Sequence, residues 1–598
     1  MLNLNEEQKK AVYQMNNAVV AAGAGSGKTF VLAQRYAHLV LERGLTVDQI
    51  LTLTFTNKAA SEMYQRIYKT INKIAQDEPN NIRAKQAILN FSEARIQTLD
   101  SYCASILKNA SRHYGIRPDF TVDDEQCENF GYKLALPFLL DNRKNIAILE
   151  LVNNYSIEDI AKNLFAQTIT KHSNLANPID FISLLENQTN IARKKWKETT
   201  QDINETIQKI IYISENFDGK SQKIIEQLKI IFNDNDFNVI PEFNSLLEFF
   251  KTSNEIAPEN IELKTYLEKI NLIQKISLQG RTTNESILTI KELIKEIKIK
   301  FSKLCSIASF IANYKIPQLI YPLLDEFQNQ FNEYKRSSGI LSFSDISHLA
   351  VEILINYPEI RNVEKSSFKA IMIDEFQDDN QLQKELLFLL AEKLERTEKS
   401  VPNPNELYPD KLFFVGDEKQ SIYKFRGADV SVFRNLKDEL TNSSDLTLST
   451  NYRSHPALIA SFNSLFGGYD YPTSIEELEK PTQRNFDKSA LFVNEKQLTL
   501  EKKFPDFEAT YNWVKPSVKD KNGNPINIDL TPRINFLFYN NTQEDNLEET
   551  NEENIFEDLK FAEIEAMAIS QKIKNFIDTK KYQSKDCAIL FRSTSNQN

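Results

Sequence analysis

Lys28 and Thr29 close the run AGAGSGKT, made of Ala22, Gly23, Ala24, Gly25, Ser26, Gly27, Lys28 and Thr29. The run follows the apolar stretch Ala18–Ala22. A strand that turns sharply into a helix aims successive backbone N–H groups at one point, and the positive end of the helix dipole adds to them, so an anion is held there. Gly25 and Gly27 let such a turn wrap a phosphate with no Cβ in the way. At this spacing Lys28 reaches the β- and γ-phosphates of a nucleoside triphosphate, and the Thr29 hydroxyl is set to ligate Mg2+. Ala22 stands where the strict GxxxxGK[ST] pattern has its first glycine. The run alone therefore also fits a glycine-rich turn that starts a helix.

The chemistry needs an acid at a second strand end. FKAIMIDEFQDDN supplies an apolar run and then Asp374 and Glu375. Asp374 at a carboxyl edge would hold Mg2+ through water, and Glu375 would orient and deprotonate an attacking water. The competing reading is an acidic cap after a strand. Three more unusual segments accompany these two: TFTNKAASEM (54–63), VGDEKQSIYKFRGAD (415–429) and NYRS (451–454).

Positioning these residues is the task of strands. Ala18–Ala22, Ile50–Phe55, Phe368–Ile373, Leu412–Val415, Ile534–Phe538 and Ala588–Phe591 read as buried strands with helical patterns between them, which implies parallel α/β layers. The stretch from about 125 to 335 differs. Ile287, Ile290, Ile294, Ile297 and Phe301 step by 3, 4, 3 and 4, an amphipathic helix stripe. Because α/β strands resume after it, this stretch reads as a helical domain inserted into the α/β one. The segment 541–560 carries eight acidic residues and reads as an acidic loop.

Composition sets outer bounds. A chain of 598 residues is too long for one hydrophobic core. Its net charge of −11 excludes a uniformly basic nucleic-acid binder but leaves room for a local basic groove. The four cysteines form no CxxC pair, which argues against a disulfide framework, a zinc ribbon or a cysteine-held iron–sulfur cluster and points to a reducing compartment. The first residues lack the apolar core of a signal peptide, and no run of about 18 uncharged apolar residues exists, so no membrane is expected.

The five segments stand in the order and spacing found in UvrD/Rep-type superfamily one DNA helicases, which the chain resembles. LSFSDISHLA (341–350) and KDCAILFRS (585–593) make it most similar to the RecB/AddA-type helicase subunits of bacterial recombination nuclease complexes. The resemblance covers the α/β parts, and the helical insert only in position and character. It implies an α/β fold: a RecA-like P-loop ATPase lobe with helices on both faces of a parallel sheet, a large helical insertion, and the start of a second RecA-like lobe. The expected limits are 1–120 plus 336–440 for the first lobe, 121–335 for the insertion and 441–598 for an incomplete second lobe. It implies an ATP-dependent helicase or translocase moving 3′-to-5′ on single-stranded DNA in repair and recombination, with ATP and Mg2+ as cofactors. The implied partners are single-stranded or duplex-end DNA and a second subunit of a recombination nuclease complex, and the implied location is the cytoplasm.

The resemblance also assigns roles. Gln8 would read the adenine edge, since an amide offers both donor and acceptor; without the neighbouring motif it would read as a solvated helix residue. Gln420 would sense the γ-phosphate, and Arg453 would bridge to it from the second lobe, so that hydrolysis depends on closure. Thr54, Phe55, Thr56 and Asn57 would hold single-stranded DNA. Tyr423, Phe425 and Arg426 would link the nucleotide site to a platform on which bases stack without regard to sequence. Core packing is the alternative for the aromatics, Phe55 above all. Three positions depart from the pattern: Phe30 and Asp100 stand where relatives often have Arg and His, and Asp379 replaces a frequent Thr. The later motifs of the second lobe and a nuclease domain are not found before Asn598, which is expected of a fragment of a longer protein. On that ground a non-catalytic ATP- and DNA-binding subunit or docking module is the second reading.

Overall fold

A computed structural model describes residues 4–219, 223–232, 240–279, 281–440, 444–480, 482, 491, 493–494, 510–519, 528–536 and 561–590, within two compact units, Met1–Ile534 and Asn535–Asn598. The first unit is built on six strands: β1 (Ala18–Ala22), β2 (Ile50–Thr54), β3 (Arg95–Thr98), β6 (Ala370–Ile373), β7 (Leu412–Gly416) and β8 (Ser444–Leu448), with the short β4 (Thr121–Val122) and β5 (Ile340–Leu341) elsewhere. The sheet order is β3-β2-β6-β7-β1-β8, and every pairing is parallel. Alternation along the strands divides their side chains between two cores. Val19, Leu51, Leu53, Ile371, Ile373 and Phe414 enter one, and Val20, Ile50, Met372, Phe413 and Val415 the other. A sheet apolar on both faces must be covered on both, and at roughly 1.5–3 kcal/mol per fully buried large side chain this drives the layering.

Helices α1 (Glu6–Tyr13), α2 (Lys28–Leu41), α3 (Asn57–Asp77) and α4 (Ile82–Leu89) share the core of one face. Helix α5 (Leu99–Ala110) packs with Phe343–Asn356 and Gln381–Ala391 on the other. The parallel α/β class expected from the sequence is the fold observed. Ser444–Leu448, grouped with the second lobe on the sequence, is the sixth strand of this sheet.

The chain leaves the sheet through β4 and returns through β5, which pair in parallel with Thr121 opposite Ile340. Between them lie helices with two cores of their own. One joins Asp124–Asp141 to Lys315–Ser338, and the other joins Phe181–Glu215, Phe243–Thr252, Ile261–Gln274 and Glu285–Ala312. Ile287, Ile290, Ile294 and Ile297 are buried along one side of the last helix, with Phe301 partly buried beside them.

Two expected strands are absent among the described residues. Residues 534–536 and 588–590 join no ladder, and Phe536, Ile589 and Leu590 are exposed. A strand is an element only when a neighbour takes its backbone hydrogen bonds, and apolar composition alone does not supply one. The ends of both runs, Phe538 and Phe591, and the acidic segment 541–560 lie outside the described residues. The second unit shows the helix Phe561–Asp578 and a short turn at Ser584–Asp586. Among the described residues no helix is long and apolar enough to cross a membrane.

Candidate functional site

The turn after β1 is shaped by its glycines. Gly25 and Gly27 have φ of +71° and +89°, which L side chains adopt only under strain. A Cβ on Gly25 would stand 2.6 Å from Asn451 Nδ2 and 2.8 Å from Arg453 Cβ. Gly27 is the N-cap of α2 and carries no capping side chain, so the first N–H groups of that helix face the turn. Ser26 and Lys28 are buried, Gly23 and Thr29 are half-buried, and Ala24 is exposed at the lip.

Two segments converge on Lys28, those that follow β6 and β7. Its Nζ lies 2.6 Å from Glu375 Oε2 and donates to Gln420 Oε1 at 3.5 Å. Gln377 donates to Glu375 Oε2 at 3.0 Å and accepts from the Asp417 N–H at 2.8 Å. Gln420 in turn donates to Asp417 Oδ2 at 2.8 Å. The result is a closed circuit: Lys28, Glu375, Gln377, Asp417, Gln420. It ties the ends of β1, β6 and β7 together, which the parallel sheet places side by side. Gln377 and Asp417 were not singled out on the sequence; the signal available was that each sits within a few residues of a strand's carboxyl end, beside a residue that was.

Asp374 is the first residue past β6 and is buried. Burial, with Glu375 beside it, pushes its carboxyl up to about 7, while Lys28 and Arg66 pull it back. Arg66 projects from α3 and was also missed; it lies well past Asn57 on a face with no motif spacing. Glu375 holds φ +57° and donates its N–H to Asp374 Oδ1 at 3.0 Å. A non-glycine residue in this region costs about 1–3 kcal/mol and persists only where the surroundings enforce it. Among the described residues no three His, Cys, Asp or Glu converge into a metal cage. Mg2+ at a phosphate does not need one, since it keeps waters and takes one or two protein ligands. Asp374 and Thr29 fit that demand, because a buried carboxyl held near 7 gains most from an arriving cation.

Gln8 is buried, with both ends of its amide in use: Oε1 accepts from Asn5 N at 3.2 Å and Nε2 donates to Ser26 O at 3.4 Å. It is therefore clamped to the glycine-rich turn. Arg453 is carried to the turn by Asn451, whose side chain donates to Ala24 O and accepts from Arg453 N and Ser454 N at 2.9 and 2.8 Å. Tyr452 N donates to Gly25 O at 2.9 Å. The Arg453 side chain itself is exposed.

The expected DNA residues divide. Thr54 is buried, and its hydroxyl donates to Thr56 O at 3.1 Å, so it faces inward. Thr56 caps α3 through Ala59 N, and Asn57 opens that helix at the surface. Phe55 and Tyr423 have ring centroids 4.7 Å apart, and Tyr423 and Phe425 5.8 Å apart. The row runs from half-buried Phe55 to Phe425, which is 79% exposed. The Arg426 side chain lies outside the described residues. Two of the departures meet in space: burial, Asp100 and Asp378 hold the Asp379 carboxyl well above the usual carboxylate range.

A parallel sheet carrying a glycine-rich turn after its first strand, with an acid pair at the end of the next strand but one in the sheet, defines a P-loop protein. More particularly, the chain belongs to the UvrD/REP helicase family, whose N-terminal domain matches residues 4–255 and 236–441. It is similar to proteins named as subunits of an ATP-dependent helicase/nuclease. The Clostridium perfringens relative is 25% identical over 652 aligned positions, and the Oceanobacillus iheyensis relative 26% over 661; each match covers 99% of this chain and 48% of the relative. The Clostridium kluyveri relative is 27% identical over 518, covering 78% of this chain and 39% of the relative. The chain thus spans about half the length of these relatives or less.

Proposed function

We propose that this chain is an ATP-hydrolysing DNA motor that moves 3′-to-5′ along single-stranded DNA and works in repair and recombination in the cytoplasm, with a second subunit. The observation that carries the reading is the circuit that joins Lys28 to Glu375 and Gln420, with Arg453 seated beside the same turn. The Ala22–Thr29 turn binds the phosphates, and Gln8 the adenine. Mg2+ held by Thr29 and Asp374 would neutralise phosphate charge.

Lys28 has two tasks. Its Nζ lies 2.6 Å from Glu375 Oε2 and neutralises that carboxylate. A γ-phosphate attracts the ammonium away, and Glu375, still aimed by Gln377, becomes free to take a proton from water. Gln420 then loses the Lys28 contact at Oε1 and turns its second Nε2 proton to the phosphate, and because Asp417 holds the other, that change is felt along the segment leading to Tyr423 and Phe425. Arg453 supplies positive charge where negative charge develops. Phe55, Thr56, Asn57, Tyr423, Phe425 and Arg426 form the DNA face, with Thr54 holding Thr56 in place.

The test is DNA-stimulated ATP turnover. Lys28→Ala should abolish nucleotide-dependent thermal stabilisation. Glu375→Gln should keep binding and lose turnover by at least about a hundredfold. Turnover that survives Lys28→Ala overturns the site, and a chain that binds ATP and DNA without DNA-stimulated turnover is a docking module instead.

A further inference from the structure

A second cavity, of about 360 Å³, opens at the opposite, amino-terminal edge of the sheet. The cations Arg35, Arg43, Lys365, Lys369 and Lys411 line it, together with His38, whose ring faces Glu42 at 3.0 Å, and Asp410 is the only carboxylate among its described lining residues. Some of these cations have a structural task, because helices end at this edge with unpaired carbonyls. Arg35 Nη1 donates to Ala11 O, Val12 O and Gln14 O at the end of α1. Lys365 donates to Glu392 Oε1, Lys393 O and Arg396 O. Lys411 donates to Lys365 O and Leu390 O, each at 2.6 Å.

That task leaves three things unexplained. Arg35 is 5% exposed, yet its Nε has no hydrogen-bond partner. Lys411 uses two of its three protons in hydrogen bonds, and burial with Lys369 and Lys365 nearby pushes it down to about 7, against the smaller opposing pull of Asp410 and Glu392. Arg43 and Lys369 sit exposed at the rim with no ion pair among the described residues. Buried like charges are stable only when a counter-charge joins them. Apart from Gln14 and Ser366, the remaining wall, including Leu39, Phe368 and Tyr408, is apolar or aromatic.

We infer that this cavity binds a small phosphorylated molecule, its phosphate between Lys369, Arg43 and Lys411 and its apolar body against Leu39, Phe368 and Tyr408. The site is separate from the phosphate turn and does not depend on the reading given to that turn. Its size falls in the range of small-ligand sites, which pair an apolar wall with a few placed polar groups.

Titration calorimetry of the full chain carrying Lys28→Ala, which disables the phosphate turn, tests this with inorganic phosphate and phenyl phosphate as probes. Phenyl phosphate should bind at one saturable site, more tightly than inorganic phosphate. Adding Arg43→Ala and Lys369→Ala should weaken it by at least about tenfold, because two of the cations that meet the phosphate are gone. Both are surface positions, so the fold should survive. Without any further substitution, phenyl phosphate should also protect Lys369 from acetylation, read by mass spectrometry. Absence of saturable binding, binding indifferent to the double substitution, or unchanged acetylation of Lys369 each overturns the proposal.

Discussion

Asp374 ionises into poor surroundings, and the sign of the consequence can be worked out. Its folded carboxyl titrates at about 7 against an ordinary 3.8. Between those values the folded chain keeps a proton that the unfolded chain releases, so this residue makes the nucleotide-free protein lose stability as pH rises from about 4 to 7. Asp374→Asn has no charge to bury and still accepts the Glu375 N–H. It should raise the stability of the nucleotide-free protein at pH 8 by roughly 2 kcal/mol, with the gain shrinking towards about pH 4.5. Denaturant unfolding at the two pH values checks this, and equal or lower stability of the variant at the higher pH contradicts it. Asp378, pushed to about 6 by burial and Glu375, slopes the same way.

At the scale of elements, the phosphate turn is held by two flanking segments: α1 through Gln8 and the NYRS segment through Asn451. Asn451 makes three hydrogen bonds there, to Ala24 O and from Arg453 N and Ser454 N. Asn451→Ala removes all three without touching the nucleotide groups. ATP affinity should change less than about threefold while DNA-stimulated turnover falls at least about tenfold, since Arg453 loses its aim; an equal loss in both would mean that Asn451 only holds the turn in shape. The aromatic row offers a complementary test. Phe425→Ala should weaken single-stranded DNA binding by about 1–3 kcal/mol. Being 79% exposed, the ring can be removed with little change in the melting temperature. Unchanged DNA affinity would take Phe425 off the binding face.

At the scale of the whole molecule, the helical insertion connects to the sheet through a narrow join. Next to the β4–β5 pair, Lys335 and Asp345 form an ion pair at 2.9 Å, and both are buried. Asp345 also accepts from Leu175 N, Ser342 N and Ser342 Oγ. Its carboxylate thus gathers the end of one insertion helix, a loop of the insertion, and the first turn of Phe343–Asn356. Lys335→Met strands that carboxylate and should cost about 3–5 kcal/mol in denaturant unfolding. Asp345→Asn added to it should recover part of the loss, because the stranded charge is gone. A double variant no better than the single one would show that packing, rather than charge, makes the join.

The residues alone determined the chemistry and the class of fold. AGAGSGKT, DEFQD and NYRS are local patterns, whose spacing is fixed by one turn or one strand end, and the two-faced apolar strands could belong only to a covered parallel sheet. What depends on neighbours far along the chain was decided in three dimensions. Gln377 and Asp417 acquire their place only when β6 and β7 lie side by side, and Arg66 acts on Asp374 only because α3 packs across the strands. Thr54 carries a binding motif's identity but is buried, because both faces of β2 are covered and a residue still on the strand has no exposed side. The runs beginning at Ile534 and Ala588 have strand composition, yet their described residues join no ladder. The cations around the second cavity come from α2, the turn after it and the approaches to β6 and β7, so no stretch of sequence hints at them. Short-range stereochemistry is written in order along a chain, whereas fields, partners and cavities are sums over segments that meet only once the chain has folded.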